Sequence, residues 1–333
     1  MSILTDYMEK KLLDHIFGQA AFTRPSSLYL GLSTTAFADS DNTTTASAKE
    51  PSGNAYARVQ IDNISEYNTS GDDIRNSSSI DFAEATGSWG SIGYWGIFDG
   101  TGSSANMLMH GSFSSATTVA SGDQFRISTG DFEINFPAAI YVGNDASVTV
   151  NNTNQGSYAK WRKMIGYALG FDLGNSQTND VFEFYNSTDV NFGQDCLYLA
   201  VSASAFPTSG LTSNEVSTSG TAYSRVEILS VNNNFFSAAT TVSGVTSISN
   251  SSAISFPEAT SSWGNISHFA IFRGMQVQSG PSNAAQAQRA NEYRSGYPTS
   301  NYPLISGALT STKTVNSGDR LRFGIGDLVI TAS

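Results

Sequence analysis

Glu84-Ala85-Thr86-Gly87-Ser88-Trp89-Gly90-Ser91-Ile92 returns in the second half of the chain as Glu258-Ala259-Thr260-Ser261-Ser262-Trp263-Gly264-Asn265-Ile266. Three further blocks recur in the same order. Leu28-Tyr29-Leu30-Gly31-Leu32-Ser33 matches Leu197-Tyr198-Leu199-Ala200-Val201-Ser202, Tyr56-Ala57-Arg58-Val59 matches Tyr223-Ser224-Arg225-Val226, and Ser121-Gly122-Asp123-Gln124-Phe125-Arg126 matches Ser317-Gly318-Asp319-Arg320-Leu321-Arg322. The chain is therefore a tandem repeat, and the fold is decided one copy at a time. The last block recurs about 25 residues later than the others predict, so the second copy carries an insertion. Residues 276–303, rich in Gln, Asn, Ser, Ala and Gly without periodicity, hold it.

Each copy reads as short strands separated by turns. Alternation of period two runs through residues 124–132 and 320–330, and Ile80-Asp81-Phe82 and Ile254-Ser255-Phe256 alternate before a small-residue turn. Tyr94, Phe98, Phe269 and Phe272 are expected in or beside the core. A helical stripe precedes the first copy: Leu4, Met8, Leu12 and Ile16 fall four apart and Leu13 and Phe17 widen the stripe. Ser2 is the expected cap, Gly18 suits the C-terminal left-handed position, and Glu9, Lys10 and Asp14 form the outer face. In the second copy Ser157 caps a similar stripe, Trp161, Ile165 and Leu169, ended by Gly170. These patterns predict a mainly β protein of two tandem antiparallel β-sandwich domains, each preceded by a short amphipathic helix. Residues 1–137 form the first domain, 138–156 a linker, and 157–333 the diverged second domain with an inserted loop near 275–303.

Composition narrows the function. Of 333 residues, 17 are basic and 28 acidic, a formal charge of −11 that repels phosphate backbones, so direct nucleic-acid binding is not expected. Ser and Thr make up about a quarter of the chain, which suits strands and turns. Cys196 is the single cysteine, which excludes a disulfide framework within the chain and suits maturation in a reducing cytoplasm. The opening residues have acids where a secretory signal would be basic, and no apolar run reaches the roughly 18 residues of a membrane span. A soluble, non-membrane protein is predicted.

Catalytic constellations are thin. His15, His110 and His268 stand in no metal-ligand spacing, no Gly-x-Ser-x-Gly elbow or phosphate-binding glycine loop occurs, and neither catalytic, metal nor cofactor residues are assigned. His15 is expected to pack at the helix edge, and Cys196 to be a small buried strand residue. Glu84 and Asp123 recur as Glu258 and Asp319 and read as turn-forming acids, with Arg58 and Arg225 as their partners. Trp89 and Trp263 have two readings: a sugar-stacking platform, or a packing anchor shared by both copies. With Met275, Tyr293 and Tyr297 in or beside the insertion, they are the candidate glycan or partner contacts.

The assembled blocks resemble a family of phage proteins commonly labelled tail fibre proteins, typically with one such domain per chain. Its opening helix is matched by Leu4-Thr5-Asp6-Tyr7 and Leu12-Leu13-Asp14-His15-Ile16-Phe17-Gly18, and residues 28–33, 53–58, 84–99 and 121–126 follow its later blocks. The first copy matches to about Phe136. The second departs in its helix and at Phe272-Arg273, which replaces Phe98-Asp99. The resemblance implies a non-enzymatic virion component assembled in the host cytoplasm and displayed on the virion surface. The expected position is a capsid decoration, or cement, protein, anchored to the major capsid protein through Leu4, Met8, Leu12 and Ile16 and organised as a homotrimer. A tail, collar or fibre component and a host carbohydrate-binding module are the alternatives.

Overall fold

A computed structural model describes residues 4–23, 25–61, 66–67, 73–135, 195–206, 214–229, 234–275 and 305–332. In the first copy, helix α1 (Asp6–Ile16) is followed by β1 (Tyr29–Ser33), the short helix α2 (Thr43–Ser47), β2 (Val59–Gln60), β3 (Glu66–Tyr67), β4 (Asp73–Arg75), β5 (Ile80–Glu84), β6 (Gly90–Phe98), β7 (Met107–Val119), β8 (Gln124–Ile127) and β9 (Glu133–Asn135). The second supplies β10 (Asp195–Ser202), β11 (Val226–Leu229), β12 (Thr240–Val242), β13 (Val245–Ser249), β14 (Ile254–Glu258), β15 (Gly264–Met275), β16 (Ile305–Val315), β17 (Arg320–Phe323) and β18 (Val329–Ala332). Strand order β2-β1-β6-β7, β3-β4-β9 and β5-β8 recurs as β11-β10-β15-β16, β12-β13-β18 and β14-β17, with every pairing antiparallel.

The repeated stretch quoted first is the corner of each sandwich. Trp89 N–H donates to the Val119 carbonyl at 2.9 Å and Ala85 N–H to that of Asp123 at 2.9 Å; Trp263 and Ala259 repeat both bonds on Val315 and Asp319. The glycine after each tryptophan holds a left-handed backbone, φ +85° at Gly90 and +80° at Gly264, which turns the chain from the small sheet into the large one. Asp123 and Asp319 close the facing turns by accepting the N–H of Ala120 and Asn316, both at 2.8 Å, as expected of turn acids. The alternating run 320–330 is divided between β17 and the start of β18, strands of different sheets, and the run 124–132 leaves strand structure after β8, with β9 starting just beyond it at Glu133. A buried asparagine pins both breaks: Asn76 donates to the carbonyls of Ser78 and Ser128 and accepts from Phe132 N–H, and Asn250 does the same with Ser252, Gly324 and Leu328.

Large and small sheets face each other over Leu30, Leu32, Ile80, Phe82, Ile92, Ile97 and Phe125 in the first copy and Leu199, Val201, Ile254, Phe256, Ile266, Ile271 and Leu321 in the second. The far side of the first large sheet is covered by Phe37 and Ala46, which meet Phe98 and Met107. The outer edge of each large sheet is irregular. In β7, Ile92 faces Thr117 and Tyr94 faces Ser112, so residues 113–116 oppose Gly93 alone, and in β16 residues 309–312 oppose Ser267 in the same way. Such bulges interrupt the ladder a stray strand would use.

Two details of α1 depart from expectation. The helix starts later than the stripe implies: Thr5 is its cap, accepting the Met8 N–H at 3.3 Å, while Leu4 lies outside it in a bridge to Met109. Thr5 wins because its hydroxyl also donates to the Met107 carbonyl, tying the cap to β7. The supposed outer face is only partly exposed: Lys10 reaches solvent, whereas Glu9 and Asp14 are both buried. Asp14 is covered by the second copy, whose Ala239 N–H it accepts, and α1 packs on β12 and β13 as well as β7, so that one hydrophobic core runs through both copies. Gly18 does take the left-handed position, at φ +66°. The linker 138–156, the stretch 157–170 and the insertion 276–303 lie outside the described residues.

Candidate functional site

The residues that carry chemistry gather in two places in each copy and at one seam between the copies. The first place is an arginine clasp. Arg58 Nε lies 3.0 Å from each carboxylate oxygen of Glu50, its Nη1 donates to the Gly100 and Gly102 carbonyls, and its guanidinium sits 3.4 Å above the centre of the Phe98 ring. Tyr56 donates its hydroxyl to Glu50 at 2.7 Å and accepts the Leu32 N–H. The second copy rebuilds this with Arg225 on Glu215 at 2.9 and 2.7 Å, Phe272 beneath at 3.8 Å, and Tyr223 bridging Glu215 and the Val201 N–H. The ion-paired side chains are at most 5% exposed. Burial, and then the neighbouring carboxylate, push both tyrosine hydroxyls well above the usual range, so they stay neutral donors.

The expected acid partners of the arginines are thereby corrected. Glu84 lies in β5 opposite Gln124, and Glu258 meets Arg320 only at 3.9 Å in an exposed pair. Sequence reasoning missed Glu50 and Glu215 because they precede their arginines by unequal spacings, across loops of different length. The available signal was an acid upstream of Tyr-x-Arg in both copies.

The second place is the tryptophan corner, where the sugar platform is overturned. Trp89 and Trp263 are 4% and 6% exposed. Their indole N–H groups donate to the carbonyls of Asn54 and Thr221, each at 2.9 Å, and each ring stands edge-on to a tyrosine, Tyr56 or Tyr223, at 5.3 Å and 87°. A pyranose needs an open indole face, and these faces are filled by Phe82 and Phe256. Of the other candidate contacts, Met275 takes the last position of β15 opposite Asp195, and Tyr293 and Tyr297 lie outside the described residues.

The capsid-anchoring helix is corrected by the seam. Leu4, Met8, Leu12 and Ile16 are no more than 6% exposed, taken up by β7 on one side and the second copy on the other. Asp14 accepts the Ala239 N–H at 2.7 Å and Lys10 Nζ at 2.8 Å, and Lys10 also donates to the Ala239 carbonyl. Gln19 donates to the Phe236 carbonyl at 2.8 Å, and Asn234 returns bonds to the carbonyls of Phe17 and Gly18. The Phe17 and Phe236 rings lie 4.4 Å apart. His15 is buried and accepts the Phe22 N–H, as its helix-edge position implied, whereas His110 pairs with Asp39 at 2.7 Å. Among the described residues no group of three or more His, Cys, Asp and Glu side chains is placed to hold a metal.

Fold and clusters together define a duplicated antiparallel β-sandwich protein whose arginine clasps and tryptophan corners are each paired inside their own copy. A family model described as "Podophage GP4 fiber I protein gp80" matches residues 3–135 and again 194–280, well over half of the chain, and the chain belongs to this family. The second match ends inside the insertion, where the copies diverge. A search of the curated proteins finds no match. Membership makes the chain a structural component of a phage virion. No helix among the described residues is long and apolar enough to cross a membrane.

Proposed function

We propose that this chain is a fibre-type component on the outside of a podophage particle, acting by binding other virion proteins and not by catalysis. The observation that carries this reading is the duplicated interior. The same Glu-Arg-Tyr-Phe clasp and the same tryptophan corner are rebuilt in both copies with every polar member bonded internally, which makes rigid bodies and leaves hydroxyl-rich loops and edges for contact. The family's own description as a fibre protein agrees with it. A capsid decoration protein bound to the major capsid protein is the second reading, favoured by the compact tandem sandwiches and the lack of shaft-like heptads or short repeats in the sequence. Under either reading the partners are virion proteins, with a homotrimer the first expectation for its own assembly.

Cryo-EM of intact virions tests both. Density for the two sandwiches in an appendage or collar supports the fibre reading, many copies spread over the head shell support decoration, and a chain absent from purified particles ends both. Host carbohydrate as a ligand keeps no support from Trp89 or Trp263.

A further inference from the structure

The outer faces of the two-stranded sheets, β5–β8 in the first copy and β14–β17 in the second, are one repeated surface with opposite charge. Register gives each face four corners. In the first, Asp81 stands opposite Arg126 and Glu84 opposite Gln124; in the second, Ser255 stands opposite Arg322 and Glu258 opposite Arg320. All of these residues are exposed, whereas Phe82 and Phe125, like Phe256 and Leu321, point the other way into the core. Two corners differ between the copies, where Ser255 takes the place of Asp81 and Arg320 that of Gln124. The first face therefore carries two acids against one base, and the second two bases against one acid.

The same changes leave charges without partners. Arg126 is held by Asp81 at 3.0 Å and by the Ser79 hydroxyl at 3.3 Å. At the equivalent Arg322 both are gone, replaced by Ser255 and Ala253, and among the described residues no side chain pairs with it. On the first face Glu84 is likewise unpaired among the described residues, and on the second Glu258 reaches Arg320 only at 3.9 Å. The turn after β17 adds Ile325, 71% exposed, where the first copy has Thr129.

We propose that the β14–β17 face of one chain docks on the β5–β8 face of a second copy of the chain. With β17 laid over β5 and β14 over β8, Arg322 comes to Asp81 and Arg320 to Glu84, while Glu258 meets Gln124 and Ser255 meets Arg126. No like charges are opposed. Asp81 can serve both arginines, because its side chain stays 40% exposed in the pair with Arg126. Two first-copy faces, or two second-copy faces, would meet with the same net sign. On a chain of formal charge −11 the second-copy face is a local exception, and an acidic neighbour of the same kind is what it attracts. A contact between unlike faces is heterologous and leaves each chain one face of each kind, the arrangement that closes a ring. Two strands are a small footprint beside the roughly 800 Å² per partner of a stable complex, so the contact sets register between neighbours at the concentrations of an assembling particle. It holds for a fibre and for a decoration protein alike.

Single-cysteine variants of the full chain in a Cys196→Ser background test this. Preparations of Glu84→Cys and of Arg320→Cys are mixed at high concentration and low salt and joined by a short bismaleimide, which captures a transient contact. The expected result is a mixed product, position 84 to position 320, about tenfold over either self-linked product. A statistical mixture, or no product, would overturn the proposal. Arg320→Glu with Arg322→Glu, and separately Asp81→Lys with Glu84→Lys, should each weaken self-association in sedimentation about tenfold at low salt with melting midpoints unchanged, and mixing the two variants should restore it. Unchanged self-association in both variants would sink the idea. Reversals that remove the chain from virions while self-association stays intact would give the face to another virion protein, and so overturn it as well.

Discussion

At the scale of residues, the arginine clasp and the tryptophan corner set the expected losses. Removing one member of a buried, bidentate pair strands its partner's charge, so Arg225→Ala or Glu215→Ala is expected to cost about 3–5 kcal/mol in urea unfolding. Arg225→Lys should recover little, because a lysine offers neither the two-toothed fork nor the flat face that lies on Phe272. Trp263→Ala is expected to cost about 3–5 kcal/mol through the cavity it leaves, and any loss of host adsorption should track loss of fold across conditions. Asp6 gives a pH test. Burial, then the charge of Asp39, raise its carboxyl above the ordinary carboxylate value, and its Oδ1 is buried without a hydrogen bond. The folded protein therefore holds this proton more tightly than the unfolded chain, and stability from that source is present below the unfolded value of about 3.9 and lost as pH rises through the folded one. Asp6→Asn should raise the melting midpoint at pH 7 and leave it nearly unchanged at pH 3; a destabilised variant at pH 7 would contradict this.

At the scale of elements, the corner glycines and the helix seam carry the folding instructions. A Cβ on Gly264 would meet nothing within 4 Å, so the cost of Gly264→Ala is purely that of a left-handed alanine, about 1–2 kcal/mol by thermal or urea unfolding. Much of this level was legible in the sequence. The period-two runs, the Trp-Gly turn and the Ser-Gly-Asp turn are local patterns, and local patterns in duplicate located the strands and the corners. What was not legible depended on partners distant along the chain. Leu4 reads as the first turn of a helix until Met109 pairs with it, and Asp14 reads as solvent-facing until Ala239 of the second copy bonds it. The tryptophans were equally ambiguous, since the same Trp-Gly serves a binding surface or a core and only the carbonyls of Asn54 and Thr221 decide. Family resemblance reached the class of protein because the matched blocks are those corners, and stopped there because contacts with other virion proteins leave no such local pattern.

At the scale of the whole molecule, the continuous core predicts cooperation between the copies. A single unfolding transition is expected by calorimetry, and Asp14→Ala, which releases both Ala239 N–H and Lys10, should lower it by about 1–3 kcal/mol and begin to separate the copies into two transitions. Two transitions in the unaltered protein would contradict a shared core. The crossing of α1 into the second copy has a further meaning for assembly. A helix that completes the neighbouring sandwich joins the copies by packing as well as by the peptide chain, so proteolysis between them would still release a bonded pair. Any particle built from this chain must then accept its sandwiches in twos, in a fixed ratio of one of each kind, and an array of odd symmetry is furnished with an even number of unlike lobes.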